Sequence, residues 1–440
     1  MTWFALLLLS VLPTGADSWP AFLGAGAHQN PDTPLPLKWS PTENIAWQTT
    51  LPGHGQSSPV VWNGNVFVTS VEGPMKDTFH TVCVDGATGQ ERWRKSIANS
   101  TPVTNSYYVS RAAPTPVVDA ERTVSVFESG DCVAYSHDGD ELWQRKLGAD
   151  VGPLVAEFGL GASPCQNETH VFVLLDHDGP GCLVALNKET GNTDWKADRT
   201  ARRSWSSPAI INLDGVEQVV VSSAGTVDGY DPKNGEVLWS FDDVGGNTGT
   251  TPMESGTGRF LVGASRGRNG ENAGSAADSN CLMEVTRTDE QWKAERKWVA
   301  EGAMPSWASP IVHRGLAYWV NRAGVVFCFD EKTGEELYSK RLEQSCWATP
   351  IASGDRVYFF GQQGLVTVLA SGREYNVLAE NESWSDETLP KEPELAEETT
   401  EQRRQASAMF SKPTLYGAAL AAEATLVLRV GNCLIAIREN

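Results

Sequence analysis

At 440 residues, 40% hydrophobic and 20% charged, the chain has an ordinary globular composition and is long enough for two or three average domains or one closed repeat ring. Its formal charge of −20 excludes a general nucleic-acid binder, which needs a dominant basic footprint, and excludes docking on an anionic bilayer surface. Forty-one glycines and sixteen tryptophans point to many short strands, many tight turns and one large aromatic used repeatedly.

The first element is an export signal over residues 1–16. Phe4 to Leu12 is a short apolar run, and Pro13-Thr14-Gly15-Ala16 supplies small residues for cleavage, although no Lys or Arg precedes the run. No cysteine follows to carry a lipid, and no later segment is long and apolar enough to span a bilayer. The expectation is an exported chain, periplasmic or extracellular and not lipid-anchored, with residues 17–440 as one unit.

From residue 58 onward two signatures recur, as a repeat architecture requires. The first is a small residue and Pro, then apolar residues, a turn and a β-branched run. It appears at Ser58-Pro59, Thr115-Pro116, Ser163-Pro164, Ser207-Pro208, Thr251-Pro252, Ser309-Pro310 and Thr349-Pro350. An eighth copy at Tyr416-Gly417-Ala418-Ala419 has Ala in place of Pro. Most copies lie about 40–58 residues apart, the length of a four-stranded propeller blade.

The second signature closes each unit: Asp or Asn, a turn with Gly, then Trp. Asp85 to Trp93 is the fullest copy, with Asn187 to Trp195 and Asp231 to Trp239 close to it. His137 to Trp143 is shortened, and Asp330 to Tyr338 substitutes Tyr. The carboxylate or amide bonds the turn amides, Gly takes a positive φ, and the ring lands on the outer strand against the next blade. Trp47, Trp93, Trp143, Trp195, Trp239 and Tyr338 are therefore the expected docking residues between blades.

Eight openings meet only seven internal closings. The missing one stands at the front, where Glu43-Asn44-Ile45-Ala46-Trp47 precedes the first repeat. The expected fold is an all-β, eight-bladed propeller of four-stranded antiparallel blades, its ring closed by this N-terminal strand, which removes open sheet edges. Blade five is the poorest copy, with a Gly/Ser/Asn-rich insertion from Arg266 to Asn280. An acidic insertion over about 380–405 is expected to be irregular.

The Asp-x-x-Thr-Gly-x-x-x-Trp closings resemble the tryptophan-docking motif of the PQQ-like, quinoprotein-type propeller repeats. That superfamily includes quinoprotein alcohol dehydrogenases and BamB-like outer-membrane assembly factors. Trp19-Pro20-x-Phe22 and the stretch Trp39 to Trp47 are similar to secreted PQQ-repeat proteins of planctomycetes. In the dehydrogenases the resemblance implies a disulfide of adjacent cysteines holding the quinone and a calcium beside a catalytic Asp. This chain has eight cysteines but no Cys-Cys pair, and neither the calcium ligands nor that Asp can be placed on it. No Cys-x-x-Cys-His haem motif is present. Neither PQQ nor calcium is expected.

The cysteines fall at related strand positions of different blades, too far apart for the ~4.4–6.8 Å Cα separation of a bridge, and read as small buried residues. Aromatic rings stand three residues before the inner-strand Pro position at Trp205, Trp307, Trp347 and Tyr416. They form either a half-ring at the channel mouth for a flat ligand or extended peptide, or packing under the loops. Arg111, Arg202 and Arg203 lie just upstream of such strands, where they either focus an anionic ligand or are solvated loop arginines with acidic neighbours. Asp176-His177-Asp178 is the one metal-flavoured triplet, but neighbours in sequence point apart, so no metal site is assigned.

These residues suggest a monomeric, non-enzymatic binding or assembly scaffold of the cell envelope, meeting a protein partner or small ligand. The alternatives are a PQQ-dependent oxidoreductase and a carbohydrate-related enzyme using channel carboxylates.

Overall fold

The computed structural model describes residues 18–24, 35–266, 273–392, 395, 400–408 and 411–439. The expected export signal lies outside them. Among the described residues no helix is long and apolar enough to cross a membrane.

Eight antiparallel sheets form the blades, at residues 60–98, 117–146, 165–199, 209–241, 253–299, 311–341, 351–382 and 415–437. The eighth takes its outer strand from Ile45–Thr50, which pairs antiparallel with Cys433–Ile437 and sets Trp47 opposite Ala436. The two ends of the chain are thereby stitched into one sheet.

Burial explains the sequence pattern. In blade one the middle strands Asn65–Glu72 and Thr78–Asp85 are buried on both faces, because a blade is packed between two others. They read as continuous apolar runs. The outer strand Glu91–Ala98 alternates exposed and covered residues instead.

The seams between blades follow the closing motif. Trp47 Nε1 donates to Gly86 O, Trp93 to His137 O, Trp143 to Lys188 O and Trp195 to Pro232 O, each acceptor in the next blade's turn. Trp239 is buried on Phe260 of blade five, but its Nε1 donates back to Gln218 of its own blade. Tyr338 packs edge-on against Tyr375 of blade seven. Trp298, absent from the expected docking set, donates to Glu331 O of blade six.

A second girdle runs around the inner strands. Ser58 N–H donates to Thr115 Oγ1, Thr115 N–H to Ser163 Oγ, and so on through Ser207, Thr251 and Ser309 to Thr349, at 2.9–3.3 Å. The residue before each Pro is thus a hydroxyl that clasps the preceding blade. Ala418 offers no hydroxyl at the equivalent place in blade eight, where the chain of links ends.

Blade one carries a fifth strand. Ser18–Trp19 pairs with Val61–Trp62 on the channel side, so the segment 18–24 lies inside the wheel. The acidic insertion starts later than expected, since Val377–Glu382 completes blade seven; Trp384 is buried, and Glu401–Ala408 is a helix. In the blade-five insertion, Ala273–Ala277 forms a short helix and Asn280 clasps Ala264 through both its N–H and its C=O. All eight cysteines are buried free thiols, and burial pushes Cys83, for one, up to about 12.

Candidate functional site

The connections from each outer strand to the next inner strand rise on one face, called upper here, around the channel mouth. Pro fixes the start of each inner strand, which sets the ring three residues earlier at the rim. Three of the four expected rings form a ladder: Trp307 and Trp347 centroids are 4.5 Å apart, and Trp347 and Tyr416 are 6.5 Å apart. His54 continues it, edge-on to Tyr416 at 5.7 Å. Trp307 is 41% exposed, a large share for an indole.

Trp205 stands apart. It packs on Phe158 at 6.0 Å and donates from Nε1 to Gly159 O, and Phe158 in turn meets Tyr108 at 5.2 Å. Arg203 lies over Phe158 and is paired with Asp178 at 2.9 Å, so this arginine is a solvated loop residue among acids. Arg202 is spent on Thr200, Ser223 and Thr226. The Asp176-His177-Asp178 triplet splits as expected: Asp176 binds Arg199, His177 Nδ1 accepts from Gly179 N, and Asp178 takes Arg203. Among the described residues no three His, Cys, Asp or Glu side chains converge on a metal position.

Arg111 behaves differently. It is 1% exposed, and none of its three side-chain nitrogens has a hydrogen-bond partner of good geometry among the described residues. Its backbone is pinned by Gln56, whose Oε1 accepts from Arg111 N at 2.8 Å. The guanidinium sits 4.9 Å over the Tyr107 ring, with the Tyr416 side chain beside it. Arg429 is also fully buried: Nε donates to Gly55 O and Nη2 to Thr69 O, while Nη1 has no hydrogen-bond partner among the described residues. Burial draws its pKa down to about 9.

One carboxylate reaches this cluster. Glu392, from the acidic insertion, places Oε1 3.0 Å from His54 Nδ1. Burial, reinforced by the Arg111 charge, holds His54 down at about 4, so the imidazole is neutral at pH 7. Two guanidiniums against one carboxylate leave net positive charge in a buried cluster of a strongly acidic protein. The sequence marked Arg111 for its place before an inner strand but carried no signal for Arg429, His54 or Glu392, which converge from three separate segments.

A family model described as "Outer membrane protein assembly factor BamB" matches residues 37–152, 78–295 and 282–422. The chain belongs to that family. Its fold is similar to BamB from Moraxella catarrhalis, at a TM-score of 0.59 and 14% identity, over 90% of this chain and 97% of that one. It is also similar to the quinohemoprotein alcohol dehydrogenase of Comamonas testosteroni, at 0.57 and 10%, over 95% of this chain and 80% of that one. At such identities the likeness concerns the fold. In sequence, 120 residues are 34% identical to the quinoprotein alcohol dehydrogenase PedH of Pseudomonas putida; this is 25% of the present chain and 19% of PedH. BamB-family and dehydrogenase structures thus share one fold with this chain.

Proposed function

We propose that this protein is a non-enzymatic binding scaffold of the cell envelope whose upper mouth takes an anionic group of a protein partner or small ligand. The observation that carries this reading is the Arg111 guanidinium, buried beside the Trp307–Trp347–Tyr416 ladder with no hydrogen bond of good geometry among the described residues. Arg111 and Arg429 share the single carboxylate of Glu392, and buried charge in excess of its counter-charge is costly, so the cluster calls for a further anion. The ladder supplies an apolar face next to it, and a guanidinium grips carboxylate or phosphate oxygens in its fork. Export and an envelope address belong to this proposal, in keeping with the family's membership of the outer-membrane assembly factors.

The residues present do not fit a quinone–calcium centre. Calcium takes six to eight oxygens, whereas the buried cluster beside the ladder sets two guanidiniums against one carboxylate. The cysteines are single buried thiols on separate elements and cannot form the adjacent pair that the dehydrogenases use. A sugar-cleaving reading needs two facing carboxylates. Among the described residues, the channel lining around the segment 18–24 carries one, Asp119, ion-paired with Lys188 at 2.9 Å.

Two variants test the proposal against envelope extract, with captured protein quantified by mass spectrometry. Trp307→Ala/Trp347→Ala lowers capture of the wild-type partner at least tenfold. Arg111→Met does the same while raising the melting temperature, because it relieves a cluster in which two buried guanidiniums share one carboxylate. Undiminished capture by both variants sinks the proposal, and dye-linked alcohol oxidation on adding PQQ and calcium would favour the dehydrogenase reading instead.

A further inference from the structure

The lower part of the channel is occupied by the chain itself. Ser18–Trp19 adds a strand to the inner edge of blade one, and Pro20 ends it, having no N–H to offer a further ladder bond. Its carbonyl serves instead, accepting from Val118 N of blade two at 2.8 Å and from Gln166 Nε2 of blade three at 3.3 Å. Trp19, Phe22 and Leu23 line one cavity with Met253, Ile311, Ile351 and Ala418, from the inner strands of blades five to eight. On the other side Ala21 and Phe22 line a second cavity with Cys165 and Ile210 of blades three and four. The seven residues thus share these cavities with inner strands of every blade.

We propose that the channel is a peptide-binding site, that its resident ligand is the segment Ser18–Gly24, and that it binds the same segment supplied in trans. The recognition chemistry is strand addition plus pockets for alternate side chains. The backbone bonds to blades one to three fix direction, and Trp19, at 4% exposure, fills the apolar hub. Among the described residues the Trp19 Nε1 has no hydrogen-bond partner, so the indole is selected by its shape and apolar area rather than by its N–H. The Val, Ile, Met and Ala side chains in the channel wall, set among polar ones such as Gln166 and Ser207, are kept from water by such an occupant. The site is separate from the upper mouth, so Trp307→Ala/Trp347→Ala leaves it unchanged.

The test uses the full chain with a protease site placed between residues 24 and 35 and cut after folding. A fluorescent peptide of residues 17–24 exchanges into the cut protein saturably, raises its melting temperature with concentration, and loses at least tenfold in affinity when it carries Trp19→Ala. A folded, cut protein that has shed its segment and takes up both peptides equally overturns the proposal. A second arm keeps the chain uncut. In Trp19→Ala/Phe22→Ala the channel thiol Cys165 reacts at least tenfold faster with a small alkylating reagent, while Cys433, buried within blade eight, does not. Wild-type peptide restores protection of Cys165; absence of any protection also overturns the proposal.

Discussion

The seams that lead into blades one to four differ from the seam between blades four and five. In the first set each indole N–H reaches a carbonyl of the next blade's turn at 2.7–3.0 Å. Each turn glycine lies so close to that ring that an added Cβ would come within 2.4–3.0 Å of it. Blade five turns instead through Thr288-Asp289-Glu290-Gln291, with no glycine and with Asp289 and Glu290 both at positive φ. Facing it, Trp239 keeps its burial but sends its N–H to Gln218 Oε1 at 2.7 Å. The closing motif is therefore a lock in two halves on different blades. The indole supplies the buried area wherever it stands, and the neighbour's turn decides whether its N–H crosses the seam. The lock reappears at the next seam, where Trp298 lies against Gly334.

The largest effect expected is loss of a ring from a complete lock. Trp143→Ala removes a buried indole and its inter-blade hydrogen bond and costs about 3–5 kcal/mol in denaturant unfolding. An unchanged transition would show that the seams do not depend on their rings. The other half of the same lock is Gly191, at φ +69, where a Cβ would meet the Trp143 ring at 2.5 Å. Gly191→Ala therefore costs about 2–4 kcal/mol, combining left-handed strain with overpacking. Gly215 has φ +78 with nothing within 4 Å, so Gly215→Ala isolates the strain alone at about 1–2 kcal/mol. Equal losses at the two glycines would mean that contact with the ring contributes nothing.

At the irregular seam, sensitivity moves to the blade's own side chain. Gln218→Leu leaves the Trp239 N–H buried without an acceptor and costs about 2 kcal/mol. No regular seam has an equivalent residue, because there the acceptor is backbone. If the loss were negligible, water or the neighbouring turn would be serving that N–H, and the contrast between the seams would vanish.

The same contrast explains what the sequence made legible. Local, repeated chemistry was readable: the Gly turn, the Trp after it, and the lone Trp47 strand that completes blade eight. Trp298 was not, because blade five lacks the Gly turn that sets the spacing and its outer strand holds a second indole at Trp292. The segment 18–24 was invisible as a channel occupant, since a short run has no period and its partners lie on every blade. At the mouth, ring positions followed from the repeat, and three of four rings meet. Burial of Arg111 could not follow, because it depends on His54, Arg429 and Glu392 arriving from distant parts of the chain. The Ser or Thr before each Pro was read as merely small, although its hydroxyl is what the neighbouring blade uses.

That hydroxyl girdle extends the comparison from the rim to the hub. Its link across the seam from blade four to five, Ser207 N to Thr251 Oγ1, is 3.3 Å, against 2.9 Å for the links on either side of it. The seam with the altered lock outside thus also has the longest of the girdle's links inside, and the two differences share one cause if blade five sits slightly away from blade four. Ser163→Ala, which removes the acceptor at a 2.9 Å link, is expected to cost about 1–2 kcal/mol by leaving the Thr115 N–H unpaired. Thr251→Val keeps the volume, removes the acceptor of the long link, and is expected to cost less than that, because a stretched hydrogen bond contributes less than a short one. Unfolding titrations of the two variants side by side decide it. A larger loss for Thr251→Val would place the strongest clasp at the seam whose outer lock is altered, and the girdle would then compensate for the rim rather than echo it.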